Sequence, residues 1–254
     1  MAFVTESFED HLSTIVLSRA ERKNALSSDL LKALLQALLR AKEKGARVTI
    51  LRGSGGSFSS GGDLREFYET EDTASRVDHV AMMLNEVIKG LRYMPSIVIA
   101  VVEGVAYGAG LSMALACDLV VATEEAKFNL AYRRIGLTPD GGASIFLPRL
   151  LGDKRFNALY LFSKDLTARE AEGLGLVNFV FRAEELEERL EGIVKDLLML
   201  PHEAIPYYKR LVNQSLFFGM ESHLERERLF VAELSSTQTF RTAVGRFLKG
   251  EKDA

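Results

Sequence analysis

Apolar and polar positions along the chain alternate between two periods. Leu12 to Leu17 (LSTIVL) is rich in β-branched residues and predicts a strand. After a charged turn, Arg19 to Lys23, leucines stand at 26, 30, 31, 34, 35, 38 and 39. That helical stripe predicts a helix within Asn24 to Ala41, capped near Ser27, Ser28 or Asp29 and closed by Gly45. Val48 to Arg52 predicts the next strand, and β-α-β order implies parallel pairing. Ser75 to Leu91 reads as an amphipathic helix ended by Pro95. The unbroken run Ile97 to Val102 (IVIAVV) fits a strand covered on both faces. Leu111 to Ala116 predicts an apolar helix, followed by short strands at Leu119 to Ala122, Lys127 to Leu130 and Val177 to Val180. A helix is expected after Gly142 and a capped helix start at Thr167 to Glu172. From Ala183 onward the pattern is helical and charged. The expectation is an α/β core over 1–182 and a helical region over 183–254, packed on the core.

Composition narrows the class. The 254 residues are 47% hydrophobic and 26% charged, which excludes a disordered chain and is ample for a core. The single cysteine, Cys117, leaves no intramolecular disulfide and points to a reducing cytoplasm. A net charge of -3 gives no general attraction to nucleic acid. Glu6, Glu9 and Asp10 stand where a signal peptide carries basic charge, and Glu103 and Asp118 interrupt the most apolar stretch. The expected protein is cytoplasmic, with neither a nucleic-acid nor a membrane partner. Scattered histidines and the lone cysteine give no metal-ligand spacing.

Two glycine-rich loops carry the candidate chemistry: Gly53 to Gly62 (GSGGSFSSGG) and Gly104 to Gly110 (GVAYGAG). Such loops let backbone N–H groups approach a ligand closely. Gly108-Ala109-Gly110 fails the third glycine of a dinucleotide fingerprint, and neither loop ends in the Gly-Lys-Ser/Thr of a phosphate loop. Gly110-Leu111-Ser112-Met113-Ala114 approaches a serine-hydrolase elbow but lacks its last glycine, and His202 and His223 lie in charged helical sequence without a motif. In a third reading each loop offers one N–H to a shared oxyanion.

Several ordered motifs raise the third reading. They are Lys23-Asn24-Ala25-Leu26, Ser57 to Leu64 (SFSSGGDL), Val102 to Gly110, Ala116-Cys117-Asp118, Phe128 to Gly142 ending in Pro139-Asp140-Gly141-Gly142, and Phe240 to Lys249. With these the chain resembles the enoyl-CoA hydratase/isomerase (crotonase) superfamily over nearly its whole length. In the Phe128 to Gly142 segment it is most similar to the epoxyphenylacetyl-CoA isomerase branch. The resemblance implies a β-β-α spiral core, a C-terminal helical trimerisation region, a homotrimer or dimer of trimers, and an acyl-CoA thioester substrate. No separate cofactor is implied, since coenzyme A is part of the substrate.

Carried over by position, the oxyanion hole falls on the N–H groups of Gly62 and Ala109, with Asp63 as a helix cap. Arg22, Lys23, Ala25 and Ser60 fall where the family holds the coenzyme, and Lys249 and Lys252 correspond loosely to a basic contact from a neighbouring subunit. Tyr107, just before the second loop, is expected either to line the acyl tunnel or to pack in the core. The two glutamates that hydratases of the family use are absent: Ser112 and Tyr132 stand in their places. Tyr132 is expected to fill space and Ser112 to make room for substrate. Asp140 matches a catalytic aspartate of some relatives, and a helix N-cap is its structural alternative. The resemblance therefore implies double-bond isomerisation by one carboxylate, Asp140. Its rivals are a hydratase or lyase using another acid, and a CoA-ester-binding homologue without catalysis.

Overall fold

The computed structural model describes residues 2–251. β1 (Val4–Glu9) turns through Asp10 and His11, both at positive φ, into β2 (Leu12–Leu17), its antiparallel partner. The sequence pattern did not predict β1, because most of its side chains are exposed and leave no apolar alternation. α1 (Ser28–Glu43) starts where Ser27 Oγ accepts the Leu30 N–H, and buries Leu30, Leu31, Leu34 and Leu38. Next come β3 (Val48–Gly53), α2 (Leu64–Tyr68), α3 (Thr73–Tyr93) and β4 (Ile97–Val102), the last wholly buried. β5 (Val105–Tyr107), α4 (Ala109–Ala116), β6 (Leu119–Thr123) and β7 (Lys127–Asn129) follow. After them run α5 (Ala143–Leu151), α6 (Asp153–Phe162), β8 (Leu166–Thr167), α7 (Ala168–Gly173) and β9 (Phe179–Phe181). Four helices close the chain: α8 (Leu186–Leu198), α9 (Ile205–Leu216), α10 (Met220–Ser235) and α11 (Gln238–Leu248).

The large sheet has the order β1-β2-β3-β4-β6-β9 and is parallel from β2 onward. A small sheet, β5-β7-β8, lies beyond its strand ends. The repeating unit is a strand in the large sheet, a short strand in the small one, and a helix: β4-β5-α4, then β6-β7-α5. This is the β-β-α spiral that the resemblance implies. One face of the large sheet packs on α1, α3 and α4; the other packs on α8 through Leu186, Leu190 and Val194.

The last strand ends at Phe181, and the helices after Ala183 pack on the rest of the chain. One anchor is ionic. Lys209 on α9, 3% exposed, donates to Asp118 Oδ2 at 2.6 Å and to the Leu91 and Ser96 carbonyls. Every charge there has a partner, which a buried ion needs. Among the described residues no helix is long and apolar enough to cross a membrane.

Candidate active site

The two glycine loops are stitched together by backbone hydrogen bonds. Phe58 N–H donates to Glu103 O at 2.9 Å, Ser59 N–H to Val105 O at 3.0 Å, and Tyr107 N–H to Ser59 O at 3.0 Å. On the other side Leu26 N–H donates to Gly61 O at 2.8 Å. Two glycines are required by this closeness. Gly61 has φ +93°, and a Cβ there would lie 2.8 Å from Tyr107 O; a Cβ on Gly110 would lie 2.7 Å from Ser59 O. Among the described residues neither the Gly62 nor the Ala109 N–H donates to a protein acceptor. Ala109 is the first residue of α4, where helix N–H groups are unsatisfied by the helix itself. Asp63 is the helix cap the sequence predicted. Its side chain accepts from the N–H groups of Arg65 and Glu66 at the start of α2, and pairs with Arg19 at 2.6 Å.

Gly62 and Ala109 both line a cavity of about 320 Å³. Leu26, Leu31, Phe67, Val77, Val80 and Leu84 make much of its wall, and Phe247 on α11 contributes from the helical region. Asp140 is the one carboxylate lining it among the described residues. Its Oδ1 accepts the Tyr132 hydroxyl at 2.7 Å, while Oδ2 has no hydrogen bond from the described residues. Burial pushes the Asp140 carboxyl up to about 6, against the opposing pull of the Tyr132 hydrogen bond. Tyr132 is pushed far above the ordinary phenol range, first by burial and then by the Asp140 charge, so it stays a donor.

Two sequence expectations change here. Tyr132 does more than fill space, because its hydroxyl holds Asp140. Asp140 does not cap α5 with its side chain. Glu227 on α10 does so, accepting the Gly142 N–H at 2.7 Å and the Ser144 N–H at 3.0 Å. Sequence reading missed Glu227 because it sits in the charged run Glu225 to Arg228, typical of a solvated face. The signal was there nonetheless: Met220, Leu224, Glu227 and Val231 share one helical stripe, and all are buried.

The remaining candidates divide between the cavity and its surroundings. Lys23, Ser60 and Tyr107 line it, and so does Arg134, which the sequence did not single out. Tyr107 donates its hydroxyl to Asp165 at 2.9 Å; burial and that carboxylate push it up to about 12. Arg134 pairs with Asp165 at 3.2 Å. Ser112 lies behind the wall, fully buried, with its hydroxyl 2.8 Å from the Asp140 carbonyl and 3.0 Å from Tyr132 Oη. It therefore supports the Asp140 turn instead of enlarging the cavity. Ala25 is buried beneath the first loop. Arg22 is exposed outside the cavity wall, and its carbonyl accepts the Ser60 hydroxyl at 3.3 Å. Lys249, just after α11, is exposed and does not line the cavity. Lys252 lies outside the described residues.

The spiral fold thus brings two loop N–H groups, without protein acceptors among the described residues, and one carboxylate to a single cavity. The chain belongs to the enoyl-CoA hydratase/isomerase family, whose sequence profile matches residues 7–253. It is an acyl-CoA enzyme of that family. It is 29% identical over 252 residues to 1,2-epoxyphenylacetyl-CoA isomerase of Escherichia coli K12, covering 98% of this chain and 96% of that protein. It is 33% identical over 221 residues to 4-chlorobenzoyl coenzyme A dehalogenase-2 of Arthrobacter sp, covering 86% and 80%. The crystal structure of an enoyl-CoA hydratase from Mycobacterium avium subsp. paratuberculosis K-10 superposes with a TM-score of 0.88 at 30% identity, covering 96% of this chain and 98% of that one. These relatives are named for three different reactions, so this chain's own reaction has to be argued from its site.

Proposed function

We propose that this enzyme moves a carbon–carbon double bond in an acyl-CoA thioester, with Asp140 as its single acid/base. The observation that carries the reading is the pairing around Asp140. Ser112 and Tyr132, which stand where hydratases of the family have their two glutamates, both contact the Asp140 turn. One carboxylate then has the cavity to itself. In the forward step Asp140 Oδ2 removes a proton from C2 of a 3-enoyl thioester. The electron pair moves onto the thioester oxygen, giving a dienolate that accepts hydrogen bonds from the Gly62 and Ala109 N–H groups. Asp140 then returns the proton to C4, and the double bond becomes conjugated with the thioester. Preorganised donors of this kind contribute roughly 10²–10³ in rate each. A carboxyl raised to about 6 is charged at neutral pH yet basic enough to take a carbon-bound proton in a dry site.

The coenzyme is assigned to the exposed cations beside the cavity mouth. Arg22 and Lys23 make no ion pair among the described residues and are available to phosphate. Lys249 is assigned a contact with the coenzyme of a neighbouring subunit, in a homotrimer or a dimer of trimers.

The test is a turnover screen of purified wild type and Asp140→Asn with 3-enoyl-, 2-enoyl- and dienoyl-CoA esters, aliphatic and cyclic. Double-bond migration by the wild type, reduced about 10³-fold or more in the variant, is expected. Water addition that survives in the variant would replace this reading with a hydratase using another acid. Binding of all esters without turnover of any would replace it with the non-catalytic one.

A further inference from the structure

The N-terminus of α5 holds a buried carboxylate that the proposed reaction does not use. Glu227 is 4% exposed. Its Oε2 accepts the Gly142 N–H at 2.7 Å; its Oε1 accepts the Ser144 N–H at 3.0 Å and the Ser144 hydroxyl at 2.5 Å. A helix N-terminus leaves such N–H groups without acceptors, and a carboxylate gains from them and from the helix dipole. An aspartate two residues before Gly142 is a natural side-chain acceptor for that N–H. Had Asp140 accepted it, its charged form would be held by a backbone N–H group and its basicity lowered. Glu227 takes it instead.

Among the described residues no lysine or arginine forms an ion pair with Glu227. Arg228 is turned to Asp78 on α3 and to Glu225. His223 Nε2 stands 3.7 Å from Oε1 and shares the Ser144 hydroxyl, but burial, Arg149 and Arg226 all push this histidine down, towards its neutral form. α3 also offers Asn85, which donates to the Leu224 carbonyl. α11 brings no ionisable side chain into hydrogen-bond reach among the described residues. On the cavity side the nearby groups are Tyr132 and Asp140, and each is electrostatically coupled to Glu227.

We propose that Glu227 is the positioning residue for Asp140: it occupies the helix terminus so that the aspartate is left to the cavity, and its charge strengthens Asp140 as a base. This rests on the reading of Asp140 as the acid/base. Burial pushes Glu227 up to about 7, with the Asp140 charge adding to it. The two negative charges repel, so the second proton leaves at higher pH than the first. Below about 6 Asp140 is protonated and cannot abstract. Above about 7 Glu227 is charged as well, and Asp140 becomes a stronger base.

The experiment is kcat/KM against pH, from 5 to 9, for wild type, Glu227→Gln, Glu227→Asp and Asp140→Asn on the 3-enoyl-CoA ester that the wild type turns over. Wild type is expected to rise in two steps. Glu227→Gln keeps an acceptor oxygen for the backbone but has no charge. It is expected to rise in one step and to level off about tenfold lower in kcat, with KM little changed. Glu227→Asp keeps the charge on a shorter arm and is expected to retain the second step, which keeps the test decisive should Glu227→Gln fold poorly. A two-step profile in Glu227→Gln, or a one-step profile in Glu227→Asp, would overturn the proposal. An inactive Asp140→Asn beside an unaltered Glu227→Gln sinks the role of Glu227 alone. An active Asp140→Asn sinks the reading of Asp140 beneath it.

Discussion

An aspartate held among apolar side chains destabilises the fold whenever it is charged. The Asp140 carboxyl is raised from 3.8 to about 6 in the folded protein. Between those values the folded state holds a proton that the unfolded chain has released. Stability therefore falls as pH rises through this window, and the deficit is complete above it. Asp140→Asn is expected to raise Tm at pH 8, by the equivalent of about 1–3 kcal/mol, and to lose that advantage as pH falls towards 4. Thermal unfolding across pH measures it; an unchanged Tm at pH 8 would mean that Asp140 is not desolvated. Tyr132→Phe removes the hydrogen bond that lowers Asp140, so the acid limb of its pH–rate profile should move to higher pH. A limb that stays in place would show that the Tyr132 hydroxyl does not act on the base. Asp140 stood out in the sequence because the Pro-Asp-Gly-Gly turn matches the position where some members of the resembled family carry an aspartate. The role of Tyr132 was not, because it follows Ala131 at φ +56° in a short irregular helix whose direction no periodicity fixes.

Elements set the proposed oxyanion hole through close backbone approach. Gly61→Ala would place a Cβ 2.8 Å from Tyr107 O on a residue at φ +93°. Such strain costs about 1–3 kcal/mol and falls on the loop that carries Gly62. The expected outcome is a kcat reduced about 10²-fold with circular dichroism retained. An unaffected kcat would detach this loop from catalysis. The central strands β2, β3 and β4 were legible because each is an apolar, β-branched run. The ends of α3 were off by two residues on each side, since Asp72 supplies the cap and Tyr93 the last helical residue. β8 is two residues long, too short to carry a period. Pairing between the glycine loops was invisible to any local pattern, because Ser59 and Tyr107 are joined only by the spiral.

At the scale of the molecule, large apolar side chains of the helical region remain exposed: Met199, Tyr207, Leu211 and Phe218 are each exposed by more than half. The proposed assembly predicts a sedimentation mass of three or six times the 28.2 kDa chain, and a monomer at micromolar concentration would contradict it. The change in pattern near residue 182 lies where the last strand ends at Phe181 and the closing run of helices begins. Glu227 shows what such a division hides, because a residue of the helical region accepts the Gly142 N–H in the turn that carries Asp140.

The central claim is that one carboxylate carries one proton between two carbons. Its most direct test is a single-turnover reaction in ordinary water with a 3-enoyl-CoA ester deuterated at C2. Asp140, partly buried in the cavity wall, should deliver a measurable share of the deuterium to C4 of the 2-enoyl product, seen by NMR and mass spectrometry. Complete loss of label to water, together with oxygen from labelled water at C3, would contradict the account and identify a hydration.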